Sequence, residues 1–199
     1  MFVEPLIGKK HSGNDPGSGW MEVICGCMFS GKTEELIRRL NRALIARQRV
    51  EIFKPNVDTR HHESQVISHD ESSIRSTSVA FPGDILMLSD SCEVVGIDEV
   101  QFFDMEVVSV CRNLVDSGKR VIVAGLDMDF QGEPFGPMPM LMAMAEYVTK
   151  VHAICMRCGG IASYSYRLTS QIEKVVVGEK NVYEARCRNC FLKGELLHD

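Results

Sequence analysis

Hydrophobic positions along the chain follow two rhythms in turn. "WMEVIC", Trp20–Cys25, is a short continuous apolar run of the kind a strand covered on both faces requires. "RVEIFKP" (Arg49–Pro55), "CEVVGIDEV" (Cys92–Val100) and "RVIVAGLDMDF" (Arg120–Phe130) repeat it, and Pro55 stops the second. Between these runs the period lengthens. From Thr33 onward Leu36, Ile37, Leu40, Leu44 and Ile45 fall at helical spacings, with acids in the first turn and basic residues later, as the helix dipole favours. Asp104–Ser117 shows the same period and is followed by Gly118, a C-cap signal. "MPMLMAMA" reads as a helical core stripe. Asn56–Val79 is polar and shows weak periodicity, so it is expected to be a loop or excursion of the sort that carries function.

Strands and helices therefore alternate over residues 20–150, which predicts an α/β layer with a mostly parallel sheet flanked by helices. Beyond residue 150 the character changes to paired cysteines, shorter apolar runs and aromatics. The expected division is a flexible tail over 1–19, an α/β domain over 20–150 and a small lobe over 151–199, with no internal repeat.

Composition narrows this picture. A chain of 199 residues buries roughly 70% of its unfolded surface and needs no disulfides to fold. It is 45% hydrophobic and 25% charged, as an ordinary soluble protein is. A formal net charge of -5 argues against a mainly electrostatic grip on nucleic acid. No run approaches the ~20 apolar residues of a membrane helix. The N-terminus has early acids and no sustained apolar core, unlike a secretory signal. A cytoplasmic location is expected, with no membrane and no nucleic acid among the partners.

Gly26–Thr33, "GCMFSGKT", satisfies the phosphate-loop pattern G-x-x-x-x-G-K-[ST], with a strand before it and a helix after it. Gly26 and Gly31 permit positive φ and close approach of backbone N–H groups to phosphate oxygens. Lys32 supplies a charge for the terminal phosphates, Thr33 a hydroxyl for Mg²⁺, and the helix N-terminus faces the anion. Asp98 and Glu99 end an apolar strand, where the ligand crevice of an open α/β sheet lies. Asp98 suits Mg²⁺, and Glu99 suits a nucleophile's proton. The alternative is a pair of solvated acids. Together with the loop they indicate a nucleoside triphosphatase or a kinase.

The eight cysteines divide by spacing. Cys155/Cys158 and Cys187/Cys190 are two CxxC pairs separated by a 28-residue spacer, Gly159–Arg186, while Cys25, Cys27, Cys92 and Cys111 sit in apolar segments. Four thiolates close a tetrahedral Zn²⁺ site with no open position, hence a structural one that ties the feet of a long loop. Redox pairs or a disulfide clip are the alternatives. His152 and His198 flank the pairs and read as ordinary side chains.

"GCMFSGKTEELIRRL", "KPNVDTR", "IDEVQFF", "GLDMDFQGEPFGPMP", "CMRCGG" and "YEARCRNC" occur in an order that resembles the type II, zinc-containing thymidine kinases, and they span nearly everything from Met21 to Cys190. The resemblance implies a RecA-like P-loop fold with a zinc lobe carrying a lasso loop. It also implies transfer of the γ-phosphate of ATP to the 5′-hydroxyl of thymidine. ATP binding then maps onto Gly26, Cys27, Met28, Phe29, Ser30, Gly31, Lys32 and Thr33, and onto Asp98, Glu99, Val100 and Gln101. Glu99 matches the proton acceptor, and Arg60 in "DTR" a charge that neutralises the phosphoryl group. Met28, Phe102, Leu126 and Phe135 match walls of the thymine pocket, with Phe130 beside it. Ser165, Val176 and Tyr183 match further nucleoside contacts, Tyr183 closing the lasso. A homotetramer and feedback inhibition by dTTP are implied in the same way.

Two positions depart from the family. Cys27 replaces a proline or small residue, which is expected to spare phosphate binding and to make the loop oxidation-sensitive. Ser165 replaces a threonine and keeps its hydroxyl. Taken alone, without the resemblance, Met28, Phe102, Leu126 and Phe135 read more readily as core. Rival functions are an ATP-driven nucleic-acid machine, disfavoured by the acidic charge, and a phosphate-loop module without turnover.

Overall fold

The computed structural model describes residues 19–56, 65–67, 73–169 and 182–194. Arg60, Val176, the tail and the middle of the expected lasso lie outside the described residues. The chain forms β1 (Trp20–Cys25), α1 (Lys32–Ile45), β2 (Val50–Pro55), β3 (Gln65–Ile67) and β4 (Ser73–Val79). There follow α2 (Gly83–Leu88), β5 (Val94–Ile97), a 3₁₀ turn (Val100–Phe102), α3 (Glu106–Asp116) and β6 (Arg120–Gly125). α4 (Met138–Met144) and β7 (Tyr147–Lys150) complete the large layer.

These strands make one sheet in the order β3-β4-β2-β5-β6-β1-β7. Its pairs are parallel except β3 with β4. Parallel neighbours need crossover connections, and the helices that supply them cover both faces. Side chains of the central strands therefore alternate between two cores. Val23, Val95, Ile97, Val121 and Val123 pack toward α2 and α3 with Ile85, Val107 and Leu114. Ile24, Ile52, Val94, Ile122 and Ala124 pack toward α1 with Leu36, Ile37, Leu40 and Ala43. Because β1, β5 and β6 run the same way side by side, their C-terminal ends line one edge of the sheet, and the functional segments leave from there.

Three details differ from the hydropathy reading. Leu44 and Ile45 are exposed, Ile45 at 83%, because the buried stripe of α1 ends at Ala43. Asn56–Val79 is not a plain loop: β4 pairs in register with β2 from Ile52↔Ser76 to Pro55↔Val79, and β3 adds an edge strand. Strands near a sheet edge need little apolar surface, so their sequence carries a weak signal. α2 is too short to show a period. Gly118 behaves as expected, ending α3 with φ 86 and its N–H on the Val115 carbonyl.

The small lobe consists of β8 (Ala153–Ile154), β9 (Ile161–Ala162), β10 (Tyr164–Arg167), β11 (Tyr183–Arg186) and α5 (Arg188–Leu192). β8 with β9 and β10 with β11 form two antiparallel pairs.

Candidate active site

The phosphate loop leaves β1 at Cys25 and enters α1 at Lys32. Gly26 takes φ 149, and a Cβ there would stand 2.2 Å from the Val151 carbonyl oxygen, so no side chain fits. Gly31 caps α1 with φ 83. Phe29 is also left-handed, at φ 64, which marks a backbone held in a cradle rather than an extended turn. The Cys27 carbonyl accepts both Ser30 Oγ at 2.7 Å and Lys32 Nζ at 2.9 Å. The buried lysine is thus folded back on the loop, within reach of anything the cradle holds.

Asp98 follows β5, and one of its oxygens accepts from Thr33 Oγ1 at 3.0 Å, joining the two halves of the motif. The other accepts the Glu99 N–H at 2.9 Å. Burial, then the adjacent Glu99 charge, raises the Asp98 carboxyl to about 7, against the pull of its hydrogen bonds and of Lys32. The pair is short of positive charge. Glu99 itself has φ 50, a left-handed conformation that a non-glycine residue adopts at a cost. That backbone turns it away from the strand and starts the 3₁₀ turn that carries Gln101 and Phe102.

The expected nucleoside residues fall on three segments beside this centre. Phe102 meets Phe135 edge-on, ring centroids 5.8 Å apart. Leu126 and Phe135 belong to the loop after β6, which Asp129 shapes by accepting the N–H groups of Gln131 and Glu133. Phe135 N–H closes the loop on the Asp127 carbonyl at 3.1 Å. Phe130 lies under the Arg167 guanidinium at 3.6 Å, and Tyr183 OH accepts from Arg167 at 2.7 Å. Ser165 accepts the Met28 N–H at 3.0 Å, so its hydroxyl joins the lobe to the phosphate loop.

Cys27 makes a second joint. It is 2% exposed, packs with Ala153, Cys155, Ala162, Ala185 and Cys190, and its thiol donates to the Ala162 carbonyl at 3.5 Å. Burial raises its pKa. Since the thiolate is the oxidisable form, the expected oxidation sensitivity is not what this geometry provides.

Cys155, Cys158, Cys187 and Cys190 bring their sulfurs within 4.8 Å of one another. All are unbonded thiols, and Cys158 and Cys187 are 3.6 Å apart, close to the ~3.8 Å that four sulfurs at ~2.3 Å from one ion would show. Burial works to raise Cys155, but N–H groups of Cys187, Cys158 and Arg157 prevail and hold it at about 6. The Cys190 N–H chiefly lowers Cys187. Four sulfurs converging on one point suit a metal ion, whereas two redox pairs or a clip would separate them.

The family model for thymidine kinase matches residues 19–191. The chain belongs to the thymidine kinase family. Among curated relatives named thymidine kinase, one from Rhodothermus sp. is 60% identical over 191 residues, 96% of this chain and 88% of the relative. One from Bacteroides thetaiotaomicron is 55% identical over 94% of each chain, and one from Porphyromonas gingivalis 58% identical over 88% of this chain and 86% of the relative.

Motifs alone left several residues of this thymidine kinase family site unnamed. Arg167 joins Phe130 to Tyr183, yet in the sequence it is one arginine among many. Gly125 and Gly136 leave the room that Gln101 occupies, as a Cβ on either would come within 2.7 Å of it. The buried Asp127 carboxylate pairs at 2.6 Å with the exposed Lys150 and backs the loop after β6. The available signals were the "GLDMDF" acids and the glycines, neither of which names a partner.

Proposed function

We propose that this protein transfers the γ-phosphate of ATP to the 5′-hydroxyl of thymidine, giving ADP and dTMP. The single observation that carries this reading is the convergence of the Thr33 hydroxyl on Asp98 beside Glu99. It puts a phosphate cradle next to a carboxylate on a strained turn, within a chain of this family. Gly26–Thr33 hold the ATP phosphates, and Lys32 leaves the Cys27 carbonyl to neutralise them. Glu99 orients the 5′-hydroxyl and accepts its proton late, since phosphoryl transfer is loose and depends mainly on positioning and charge. Phe102, Leu126 and Phe135 bound the thymine, with Met28, Phe130, Ser165 and Tyr183 around them. Arg60 and Val176 are assigned phosphoryl and nucleoside contacts through the resemblance.

The charge-poor Asp98 and the Thr33 hydroxyl fit Mg²⁺. When bound with ATP, Mg²⁺ neutralises phosphate oxygens. The four cysteines fit structural Zn²⁺ by donor type and spacing. The proposed domain division is 1–19, 20–150 and 151–199. Homotetramer assembly, dTTP feedback and a cytoplasmic location complete the proposal; none of the described helices is long and apolar enough to cross a membrane.

The test is incubation with ATP, Mg²⁺ and each nucleoside in turn, with monophosphate as the readout. Thymidine-dependent release of ADP with dTMP is expected; ADP release stimulated only by DNA, or no turnover, rejects the reading. Glu99→Gln is expected to lower kcat by about 10²–10⁴-fold with ATP affinity little changed, and equal loss of both would make Glu99 a structural residue.

A further inference from the structure

Gln101 sits between the acids and the aromatic wall, and at 2% exposure its amide must find partners inside the protein. It has two. Its Oε1 accepts the Leu126 N–H at 3.0 Å, and its Nε2 donates to Glu99 Oε2. Chemistry settles the orientation: a backbone N–H can only donate, so the end facing Leu126 is the oxygen and the end facing the carboxylate is the NH₂. Among the described residues, Gln101 is the one donor to the Glu99 carboxylate.

The surroundings hold this arrangement. A Cβ on Gly125 would lie 2.7 Å from Gln101 Oε1, and one on Gly136 2.7 Å from the Gln101 carbonyl oxygen. Gly125 therefore makes room for the Gln101 amide, and Gly136 for the Gln101 backbone. Leu126 begins the loop that carries Phe135, and Phe135 packs edge-on to Phe102, the residue after Gln101. One amide thus touches the reacting end and the base-binding end of the same site.

We propose that Gln101 is a positioning residue that couples the Glu99 carboxylate to the wall of the base pocket at Leu126, so that the proton acceptor is aligned with respect to the bound nucleoside. This rests on the reading of Glu99 as proton acceptor. It differs from a nucleotide-binding role for Gln101, because it rests on the contacts of the amide with Glu99 and Leu126.

Steady-state kinetics of the full chain carrying Gln101→Glu, Gln101→Met, Glu99→Gln and the double variant Glu99→Gln/Gln101→Glu test it, with thermal melts alongside. Gln101→Glu keeps an acceptor for the Leu126 N–H but sets a second carboxylate against Glu99. Its kcat should fall about 10- to 100-fold, the size of one hydrogen bond to a charged group, with both KM values within about threefold of the parent. Gln101→Met loses both contacts and should also raise the thymidine KM. In the Glu99→Gln background Gln101→Glu should cost less than about threefold more, since the two act as a unit. Fully additive losses, or a raised KM for ATP with kcat unchanged, overturn the coupling while leaving the kinase reading intact. A Glu99→Gln enzyme that keeps its turnover overturns the coupling together with the reading of Glu99 as proton acceptor, while the kinase reading remains. If Gln101→Met does not fold, Gln101→Glu and the cycle still decide.

Discussion

The layer before residue 150 and the cysteine-bearing lobe after it are stabilised by different means. In the layer, Val23, Phe53, Ile97, Val121 and Ile122 are fully buried, and apolar burial at roughly 25 cal/mol per Å² does the main work. A buried ion cluster is set into it: Glu22 lies between Arg39 at 2.9 Å and Arg120 at 2.7 Å. The lobe has alanines and cysteines at its centre. Around them arginines lie on aromatic faces, Arg186 at 3.4 Å over Tyr166 and Arg167 at 3.6 Å over Phe130, and Tyr164 stacks on Phe191. Side chains that small cannot offset the entropy of ordering the segment by burial alone, so the four converging thiols are where the missing stabilisation enters. The layer's shape follows from apolar burial, whereas the lobe carries four thiols placed to hold a structural metal ion. Because Cys27 and Met28 are bonded to the lobe, the condition of the lobe also bears on the phosphate loop.

The largest effect expected from this contrast comes from metal removal. Chelation should abolish hydrogen-exchange protection in 153–167 and 183–192 and leave 20–25 and 120–125 protected, as structural zinc contributes on the order of 10 kcal/mol in small sites. Equal loss in both regions would make them one cooperative unit and end the comparison. Next is the layer's own charge cluster. Glu22→Gln leaves Arg39 and Arg120 without their shared carboxylate, and a urea melt should show about 3–5 kcal/mol lost, with the zinc content unchanged.

Arg167→Leu tests the joint between the two regions. It removes the cover of Phe130 and the Tyr183 hydrogen bonds, and thymidine affinity should weaken about tenfold, with little change in melting temperature; a large melting shift would make Arg167 a core strut instead. The smallest effect concerns Glu35. Burial works to raise its carboxyl, but the bonds from Arg38 and Arg39 prevail and hold it below its ordinary 4.5. Its folded pKa lies under the unfolded one, so the stability it contributes is present above about pH 4.5 and is lost as pH falls through the lowered value. Glu35→Gln should flatten acid unfolding there by less than about 1 kcal/mol, and an unchanged acid limb would mean the ion pairs contribute nothing.

Much of this protein could be read along the chain because its signals are local. β1, β2, β5 and β6 are continuous apolar runs, and the Gly26–Thr33 loop, Asp98–Glu99 and both CxxC pairs stand out by residue type and spacing. β3, β4 and α2 were hidden for a physical reason: near an edge or in a single turn, a neighbour's hydrogen bonds substitute for hydrophobic pattern. Cys27 shows the same limit from the other side. Its place in a glycine loop suggested an open thiol, and only the packing of Ala162 and Ala185 over it makes it a core residue.

Residue order alone was enough to specify the alternation of strand and helix, the anion cradle, the acid pair and the four thiols, since each depends on neighbours within a few positions. Folding decided which distant groups meet: Thr33 with Asp98, Gln101 between Glu99 and Leu126, Arg167 between Phe130 and Tyr183, and Cys27 inside the lobe. Those contacts join segments far apart along the chain, and whether two such segments touch is set by sheet order and packing, which no short stretch of residues encodes.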